Sequence, residues 1–411
     1  PPRPRLTRPT TTRTRSMSQH AAAVCVVGVA RTPLGGLQGS LASLSAPRLG
    51  ALAIAAALQN AGVAPAAVQE VFMGNVLSAG IGQAPAKQAA LGAGLPTSVP
   101  CTTVNKVCAS GMKATIFAAQ SILTGTNDLV VSGGMESMTN APYYLSKARG
   151  GYRMGHGEVT DGMIKDGLWD PYGDYHMGVC AEACAAEHGI TRADQDAHAL
   201  ESYARAKAAY AAGVFDGEIV PVEVEQRGKP PVTVTTDDQL GKLNEDKLRS
   251  LRTVFKKDGT VTAGNASSIS DGAAALVLAS EAKASELGLK VLARIRGWGD
   301  AAQDPIKFTT APSLAAPKAL QMAGLSTADV DLWEFNEAFS VVDLANRKIM
   351  GLDANKVNVH GGAVALGHPI GCSGARILIT LLSSLKAKNV TKGCAAICNG
   401  GGGASAMVLE I

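Results

Sequence analysis

The chain carries two related short motifs, one in each half, and this duplication constrains its fold more than any other feature. Residues 104–113, which contain Cys108, and residues 367–376, which contain His368, each predict a tight turn that opens a helix. Beyond each motif lies a glycine-rich segment, residues 132–134 in the first half and 398–403 in the second, which predicts the end of a strand. We infer two related halves that bring a cysteine and a histidine to one shared site.

The composition is typical of a two- or three-domain α/β protein. At 411 residues the chain exceeds what one core usually organises. Apolar residues make up 46% of it and aromatic residues 4%, with 46 glycines, which favours Ala-rich helices packed closely on Val/Ile strands. A net charge of +4 does not suggest nucleic-acid binding, and the apolar stretches are too short to span a membrane. Eight cysteines favour a reducing compartment over a disulfide scaffold.

The first 21 residues predict a disordered leader. Residues 1–20 contain five arginines, and the first acidic residue of the chain is Glu70. Arg-rich, acid-free segments are typical of organelle transit peptides, although a segment upstream of a start at Met17 fits equally well. We predict a cytoplasmic location, with the peroxisome, mitochondrion or plastid as alternatives.

Strands and helices alternate on both sides of a central segment of different character. The pattern predicts helices at 45–61, 113–123, 191–212 and 312–323, and strands at 22–29, 71–76, 128–132, 274–280, 330–334 and 395–398. Such alternation favours a parallel sheet with right-handed crossovers. We predict an N-terminal half at 22–138, continued by about 251–289, a loop-built insertion at 139–250, and a C-terminal half at 290–411.

Cys108 and His368 are the candidate nucleophile and base. A cysteine at a helix N-terminus is favoured as a thiolate, and Lys106 and Lys113 add positive charge nearby. Gly111 permits a close backbone approach at the same turn. A base beside a thiol is the usual means of activating it, whereas a lone cysteine is more often structural.

Two further polar segments are candidates for the same site. Cys398 precedes Asn399 and four glycines at a strand end, where free N–H groups suit an oxyanion and a tight turn with positive φ is the alternative. Asn336 and Glu337 follow a predicted strand, where they belong either to a site or to a helix cap. Cys180, Cys184 and His188 share one helix face but lack a fourth ligand, so we predict no metal site.

Five ordered blocks together resemble the thiolases, and among them the plant-type acetoacetyl-CoA thiolases. The blocks are residues 31–35, 105–111, 336–339, 361–374 and 398–403, and the resemblance runs over residues 24–411. It implies two βαβαβαββ halves in a five-layer αβαβα core, with residues 139–250 as a CoA-binding loop domain. It also implies a homotetramer or homodimer, and a place in lipid metabolism as a source of isoprenoid precursor.

The resemblance implies an acetyl-CoA C-acetyltransferase that reversibly condenses two acetyl-CoA into acetoacetyl-CoA and CoA, with no cofactor beyond these thioesters. Cys108 would accept the acetyl group after His368 deprotonates it. Cys398 would act as acid and base at the methyl carbon of the second acetyl group. Asn336 would hold a water that forms one oxyanion hole with His368, and the N–H groups of Cys108 and Gly400 would form the other.

The resemblance also implies which residues surround the substrate. His176 and Met177 would cap a short acyl pocket. The remaining contacts would be Leu168, Phe255, Ser267 and Phe339 around the pantetheine, with a backbone contact at Ala266. His360 stands where an asparagine is more usual, which affects the support of the second oxyanion hole.

Three other functions compete with this interpretation. A degradative 3-ketoacyl-CoA thiolase would use the same chemistry on longer chains, but His176 argues against it. A non-catalytic acyl-CoA scaffold would be expected to lack Cys108, Asn336, His368 or Cys398, and all four are present. A ketoacyl synthase would need a second histidine in place of the second cysteine.

Overall fold

The computed structural model describes residues 23–411, so the predicted leader at residues 1–21 lies outside the described part of the chain. The first elements are β1 (Val24–Arg31), β2 (Gly35–Gly36), α1 (Ala46–Ala61), β3 (Glu70–Gly74), α2 (Pro85–Gly92), β4 (Cys101–Val104), α3 (Ser110–Leu123) and β5 (Leu129–Ser137). Ser45 caps α1, since its side chain accepts a hydrogen bond from the Arg48 backbone.

The central segment contains more regular structure than the predicted loops. It comprises β6 (Tyr143–Tyr144), β7 (Thr160–Asp161), β8 (Trp169–Asp170), β9 (Tyr175–His176), α4 (Met177–His188), α5 (Arg192–Ala211), β10 (Val222–Gln226), β11 (Lys229–Val234) and α6 (Glu245–Leu248). The predicted helix at 191–212 is confirmed as α5, which Thr191 and Asp194 start with reciprocal side-chain-to-backbone bonds. The domain boundaries at 138, 250 and 289 stay a prediction.

The chain ends with β12 (Ser270–Ser280), α7 (Glu281–Glu286), β13 (Ala293–Ala302), α8 (Pro312–Ala323), β14 (Leu332–Phe335), α9 (Ser340–Met350), α10 (Ala363–Leu366), α11 (Ser373–Lys388), β15 (Lys392–Asn399) and β16 (Gly403–Glu410). A π-helical turn spans Ile164–Leu168, and short 3₁₀ turns lie at Pro65–Ala67, Met138–Asn140, Asp238–Gly241, Pro305–Thr310, Thr327–Asp329 and Ala354–Lys356. In residues 23–411, none of the helices combines the length and apolar character that crossing a membrane requires.

The two halves repeat one order of elements, as predicted. The first half runs β1-α1-β3-α2-β4-α3-β5-β12, and the second runs β13-α8-β14-α9-α11-β15-β16. An isolated parallel bridge between Trp333 and Val357 stands between α9 and α11, where the first half has β4. Each half is therefore a βαβαβαββ unit, with the third strand of the second half reduced to this bridge.

Ten of the strands form one mixed sheet rather than the predicted parallel one, and β6–β7, β8–β9 and β10–β11 form separate two-stranded sheets. The order of the mixed sheet is β14-β15-β16-β13-β1-β12-β5-β3-β4, and β2 pairs with β12 at the side. Only β3–β4, β3–β5 and β14–β15 pair in parallel. A turn of three residues joins β15 to β16, and so short a connection imposes antiparallel pairing. The contact between β1 and β13 joins the two halves of the sheet.

The two halves of this sheet form separate layers on either side of α3 and α11, and with the outer helices they give the predicted αβαβα arrangement of five layers. Helix α1 packs on β1, β5 and β12, and α8 packs on β13 and β16. Helices α3 and α11 pack against each other and contact strands of both halves. Met112, Ile116, Ile377 and Leu381 belong to the core cluster of this middle layer. Burial of such side chains contributes about 1.5–3 kcal/mol each.

Helices α3 and α11 meet backbone to backbone at their first turns. A Cβ on Gly374 would lie 2.4 Å from the Met112 nitrogen, and one on Gly111 would lie 2.8 Å from the Ala375 nitrogen. Only glycine allows this approach. The crossing places the two motif turns side by side, so the duplication in the sequence becomes one site in space.

The predicted strand end at Gly133 and Gly134 is wrong, because both residues lie inside β5. A Cβ on Gly133 would lie 2.1 Å from the Ala274 carbonyl oxygen, and one on Gly134 would lie 2.1 Å from the Gly371 carbonyl oxygen. Glycine inside a strand marks a close backbone approach as well as a turn. These glycines admit strand β12 on one side and the histidine-bearing turn on the other.

A buried ion cluster joins the central segment to both halves. The Arg31 guanidinium lies 2.6 Å from Glu218 Oε1 and 2.8 Å from Asp237 Oδ1, with all three side chains fully buried. Ser383 of α11 donates a hydrogen bond to Glu218 Oε2 at 2.6 Å. Removal of one partner from such a cluster costs about 3–5 kcal/mol, because an unpaired buried charge remains.

We predict that Gly134→Ala destabilises the protein by about 1–3 kcal/mol, the usual cost of overpacking a close-packed interior. The added methyl group would push the turn at Gly371 away from β5. Chemical denaturation measures the change in the free energy of unfolding.

Gly217→Ala is the matched control, because a Cβ on Gly217 would meet no heavy atom within 4 Å. Its stability should stay within about 0.5 kcal/mol of the parent chain. Equal losses in the two variants would contradict the close approach at Gly134.

Candidate active site

One cavity of about 500 Å³ gathers most of the predicted site residues. Cys108, His368 and Gly400 line it. All seven predicted substrate contacts line it too, namely Leu168, His176, Met177, Phe255, Ala266, Ser267 and Phe339. Asn336 and Cys398 are fully buried and lie behind its wall.

The turn before α3 presents Cys108 in a conformation that its neighbours enforce. Val107 adopts φ 48°, which is rare for a β-branched residue and costs conformational energy. Asn105 Oδ1 accepts from the Val107 N–H at 3.0 Å, and Ser110 Oγ donates to the Val107 carbonyl at 2.6 Å. Ser110 Oγ also accepts from the Lys106 N–H at 2.8 Å. These bonds hold Cys108 just before the start of α3.

The structure does not give Cys108 the standing positive charge that Lys106 and Lys113 were predicted to add. Burial raises the pKa of the Cys108 thiol to about 12, although the N–H groups of Gly400 and Cys108 itself lower it. Lys106 Nζ and Lys113 Nζ bind the two oxygens of Asp300 at 2.8 and 2.7 Å, so their charges are neutralised there. Cys108 therefore rests as a thiol and needs a base when it reacts.

His368 lines the same cavity, and its hydrogen bonds leave one ring nitrogen able to accept a proton. Ser373 Oγ donates its hydrogen to the Pro369 carbonyl at 3.0 Å, so it accepts from His368 Nδ1–H at 2.6 Å. Nε2 consequently carries the free lone pair. Burial, together with the positive charge of Arg376, lowers the pKa of His368 to about 3, which keeps the ring neutral. A neutral imidazole with Nε2 free can accept the thiol proton.

Cys398 and Asn336 extend the site behind the cavity wall. Burial raises the pKa of Cys398 well above its usual value, and a negative charge on nearby Cys108 raises it further. Asn336 follows the last residue of β14, and its Nδ2 lies 3.5 Å from His368 Nε2. Gly401 and Gly402 have φ values of 81° and 82°, so the turn after Cys398 requires glycine for its shape.

Aromatic side chains form the wall around the predicted acyl pocket. The His176 ring stacks on Phe255 with centroids 4.6 Å apart, and Phe339 meets Phe255 edge-on at 6.3 Å. Burial lowers the pKa of His176, so this wall carries a neutral ring. Ser267 donates from both its backbone and its hydroxyl to the Ala338 carbonyl, at 3.1 and 2.8 Å. These contacts give the pocket a fixed, mostly apolar surface.

His360 is directed away from the cavity. Its Nδ1 lies 2.9 Å from Ser384 Oγ, and burial lowers the pKa of His360 to about 4. Cys180 and Cys184 are buried in α4, within an apolar cluster.

Two models of known protein families match the chain, and together they cover nearly all of the described residues. Residues 24–282 match the model of the thiolase N-terminal domain, and residues 289–411 match that of the thiolase C-terminal domain. The chain belongs to the thiolase family.

Curated relatives and solved structures agree with this membership. The thiolase is 65% identical to acetyl-CoA acetyltransferase 2 of Arabidopsis thaliana over 94% of this chain and 97% of that protein. The crystal structure of a Bacillus anthracis acetyl-CoA acetyltransferase matches with a TM-score of 0.92 and 40% identity, over 95% and 99% of the two chains. An Ascaris suum thiolase crystallised with coenzyme A matches with a TM-score of 0.90 and 44% identity, over 94% and 99%.

Sequence reasoning missed Glu136, a buried carboxylate that ties the two halves of the thiolase together. Its oxygens accept from the N–H groups of Val76, Leu77 and Gly371 at 3.0, 3.1 and 2.9 Å. Burial raises the pKa of Glu136 to about 7, which these N–H bonds oppose. The sequence did contain a signal for Glu136, namely an acidic residue in an otherwise apolar strand. A buried charge requires hydrogen-bond partners, so such a residue is expected to contact other parts of the chain.

We predict that His368→Ala makes acetylation of Cys108 strongly pH-dependent. Without the base, the thiolate must form unaided, and its fraction rises about tenfold per pH unit below a pKa of about 12. The variant should acetylate Cys108 about 10²–10⁴-fold more slowly than the parent protein near neutral pH. This difference in rate should shrink as the pH rises. Single-turnover acetylation, followed by intact mass from about pH 7 to about pH 10, measures both.

His360→Ala is the control, since that ring faces Ser384 instead of the cavity. It should acetylate with the pH profile of the parent protein. A deficit in His368→Ala that stays constant with pH would show that His368 does not serve as the base for Cys108.

Proposed function

We infer that this thiolase is an acetyl-CoA C-acetyltransferase, which converts two acetyl-CoA to acetoacetyl-CoA and CoA through an acetyl-cysteine. One observation carries the inference. A buried thiol and a neutral imidazole share one cavity with a second buried thiol behind it. The curated relatives of 65% and 59% identity, from Arabidopsis thaliana and Schizosaccharomyces pombe, are named acetyl-CoA acetyltransferases.

In the first half-reaction, His368 Nε2 takes the proton of Cys108 while the sulfur attacks the thioester carbonyl of acetyl-CoA. The N–H groups of Cys108 and Gly400 stabilise the oxyanion that forms. The bond to the CoA sulfur then breaks, and Cys398 donates its proton to the departing thiolate. Acetyl-Cys108 remains, beside a protonated His368 and a Cys398 thiolate. Burial disfavours both charges, so each persists only as the partner of the other.

In the second half-reaction, the Cys398 thiolate removes a proton from the methyl group of a second acetyl-CoA. The resulting enolate oxygen is stabilised by protonated His368 and by a water held on Asn336. The enolate carbon attacks the carbonyl of acetyl-Cys108 and forms the new carbon–carbon bond. Cys108 leaves as a thiolate and takes the proton from His368. The enzyme regains its starting protonation, and acetoacetyl-CoA is released.

The acyl pocket supports a preference for short substrates. His176 is held against Phe255, and Met177 also lines the cavity, so the acyl end meets a fixed wall. We assign the pantetheine contacts to Leu168, Phe255, Ser267 and Phe339, with the residue 139–250 segment as the CoA-binding region.

We further propose a homotetramer or homodimer. The edge strand β4 has one unpaired side, and Tyr143, Met154 and Tyr172 expose large apolar side chains in the central segment. The mass in solution tests this, because a particle of 42.0 kDa would be a single chain.

We propose a cytosolic location, supported by a Gibberella zeae relative of 56% identity that is named cytosolic. Imaging of the full-length chain with a C-terminal fluorescent tag tests that location.

Thiolysis assays on the purified protein test the function and its nearest rival together. We expect cleavage of acetoacetyl-CoA by CoA, with kcat/KM at least about tenfold above that for a long-chain 3-ketoacyl-CoA, since pocket contacts of this kind discriminate by about 1–3 kcal/mol. Equal kcat/KM on the two substrates would favour a degradative 3-ketoacyl-CoA thiolase. No cleavage of either would favour a non-catalytic acyl-CoA scaffold.

Cys398→Ser should separate the two half-reactions. A hydroxyl is a much weaker acid and its alkoxide is inaccessible here, so condensation should fall by about 10²–10⁴-fold. Acetylation of Cys108 should continue in a single turnover, since CoA can still take its proton from His368. Parallel measurement of acetyl-enzyme and of acetoacetyl-CoA shows whether the variant loses condensation while it keeps acetylation. A proportional loss of both would mean that Cys398 activates Cys108 instead.

A further inference from the structure

We propose that Glu337 is a positioning residue that holds Asn336 and His368 together for the enolate-forming half of the reaction. The proposal rests on the proposed function, since it concerns the same site. From the sequence alone, Glu337 could belong either to a functional site or to a helix cap.

The first observation is that the Glu337 carboxylate binds the segment leading to His368. Its side chain is 1% exposed, and Oε2 accepts from the Val364 N–H at 3.1 Å. Val364 belongs to α10, which ends at Leu366, two residues before His368. A Cβ on Gly362 would lie 2.4 Å from Glu337 Cδ, so the carboxylate lies directly against this backbone.

The second observation is that the same carboxylate fixes the strand end that carries Asn336. Glu337 Oε1 accepts from Asn358 Nδ2 at 3.1 Å. Asn358 also accepts from the Phe335 N–H at 2.8 Å and donates to the Phe335 carbonyl at 3.0 Å. Asn336 lies between Phe335 and Glu337, so its backbone is held on both sides.

The charge of Glu337 is balanced by a cluster outside the cavity. Its Oε1 lies 3.5 Å from His198 Nε2, which also lies 2.9 Å from Asp343 Oδ2. Arg347 Nε binds the same Asp343 oxygen at 3.0 Å. Burial alone would lower the pKa of His198, but the two carboxylates raise it above its usual value. His198 and Arg347 therefore place positive charge beside the two carboxylates. A carboxylate accepts hydrogen bonds without donating any.

These contacts distinguish a positioning role from a catalytic one. The Glu337 oxygens are engaged by Val364, by Asn358 and by Ser202 Oγ, which donates at 2.8 Å. The carboxylate therefore faces the scaffold behind the site. Its effect on the substrate is transmitted through Asn336 and His368.

The two half-reactions depend on this placement to different degrees. Acetylation of Cys108 uses His368 as a base and the N–H groups of Cys108 and Gly400. Formation of the enolate needs Asn336 and His368 at the same time, at a defined separation. An oxyanion hole loses its effect when its donors move, because it works through preorganised geometry.

Glu337→Gln tests the proposal with little change in shape. Every carboxylate oxygen faces a donor, so the carboxamide must place its NH₂ against another N–H or a hydroxyl. We expect condensation to fall by about 10–100-fold, the scale of a displacement of about 1 Å in an active site. Single-turnover acetylation of Cys108 should change much less, so the ratio of condensation to acetylation falls.

Asp343→Asn is the matched control. It alters a carboxylate of the same buried cluster that contacts His198 and Arg347 rather than α10 or Asn358. It should lower stability without changing the ratio of condensation to acetylation. If Glu337→Gln does not fold, Ser202→Ala replaces it, since it removes one donor from Glu337 and should lower the ratio in the same direction.

The outcomes separate this proposal from the proposed function. A parent protein that acetylates or condenses nothing would count against the function itself. A parent protein that condenses, with an unchanged ratio in Glu337→Gln or in its substitute Ser202→Ala, would overturn the role of Glu337. An equal fall of the ratio in Asp343→Asn would assign the effect to general loss of packing.

Discussion

The backbone contact between helices α3 and α11 is the constraint on which the rest of the structure depends. Gly111 and Gly374 let the first turns of the two helices touch, and Gly134 admits the Gly371 carbonyl beside them. Each half alone offers one reactive residue on a helix-opening turn. Their contact turns two such residues into a nucleophile and its base, and it fixes the thickness of the middle layer. Larger side chains at these positions would push the two turns that carry Cys108 and His368 apart.

A second feature of the site is that its reacting groups are buried away from water. Burial raises the pKa of both thiols, lowers that of His368, and leaves the resting enzyme without charge on its reacting groups. Charges then form only in pairs during turnover, in an interior where attraction between them is strong. The lysines near Cys108 were expected to supply a standing positive charge. They bind Asp300 instead and join the two halves.

The sequence predicted the layered fold and the identity of the elements well, because duplication, helix caps and apolar periodicity are local signals. The boundaries of α8 were predicted to the residue. The sequence failed where the deciding contact is distant along the chain. Gly133 and Gly134 were placed at a strand end because nothing local reveals the carbonyl oxygens of Ala274 and Gly371. The partners of Glu136 are distant in the same way.

The pairing of β1 has a consequence for the newly made chain. Both neighbours of this fully buried strand, β12 and β13, are built from residues beyond 269. At about 5–20 residues per second, the ribosome needs tens of seconds to deliver them after Arg31 has been made. During that time an apolar strand with two open edges is exposed to other chains. The order of synthesis therefore leaves this strand without its sheet partners until more than half of the chain has been made.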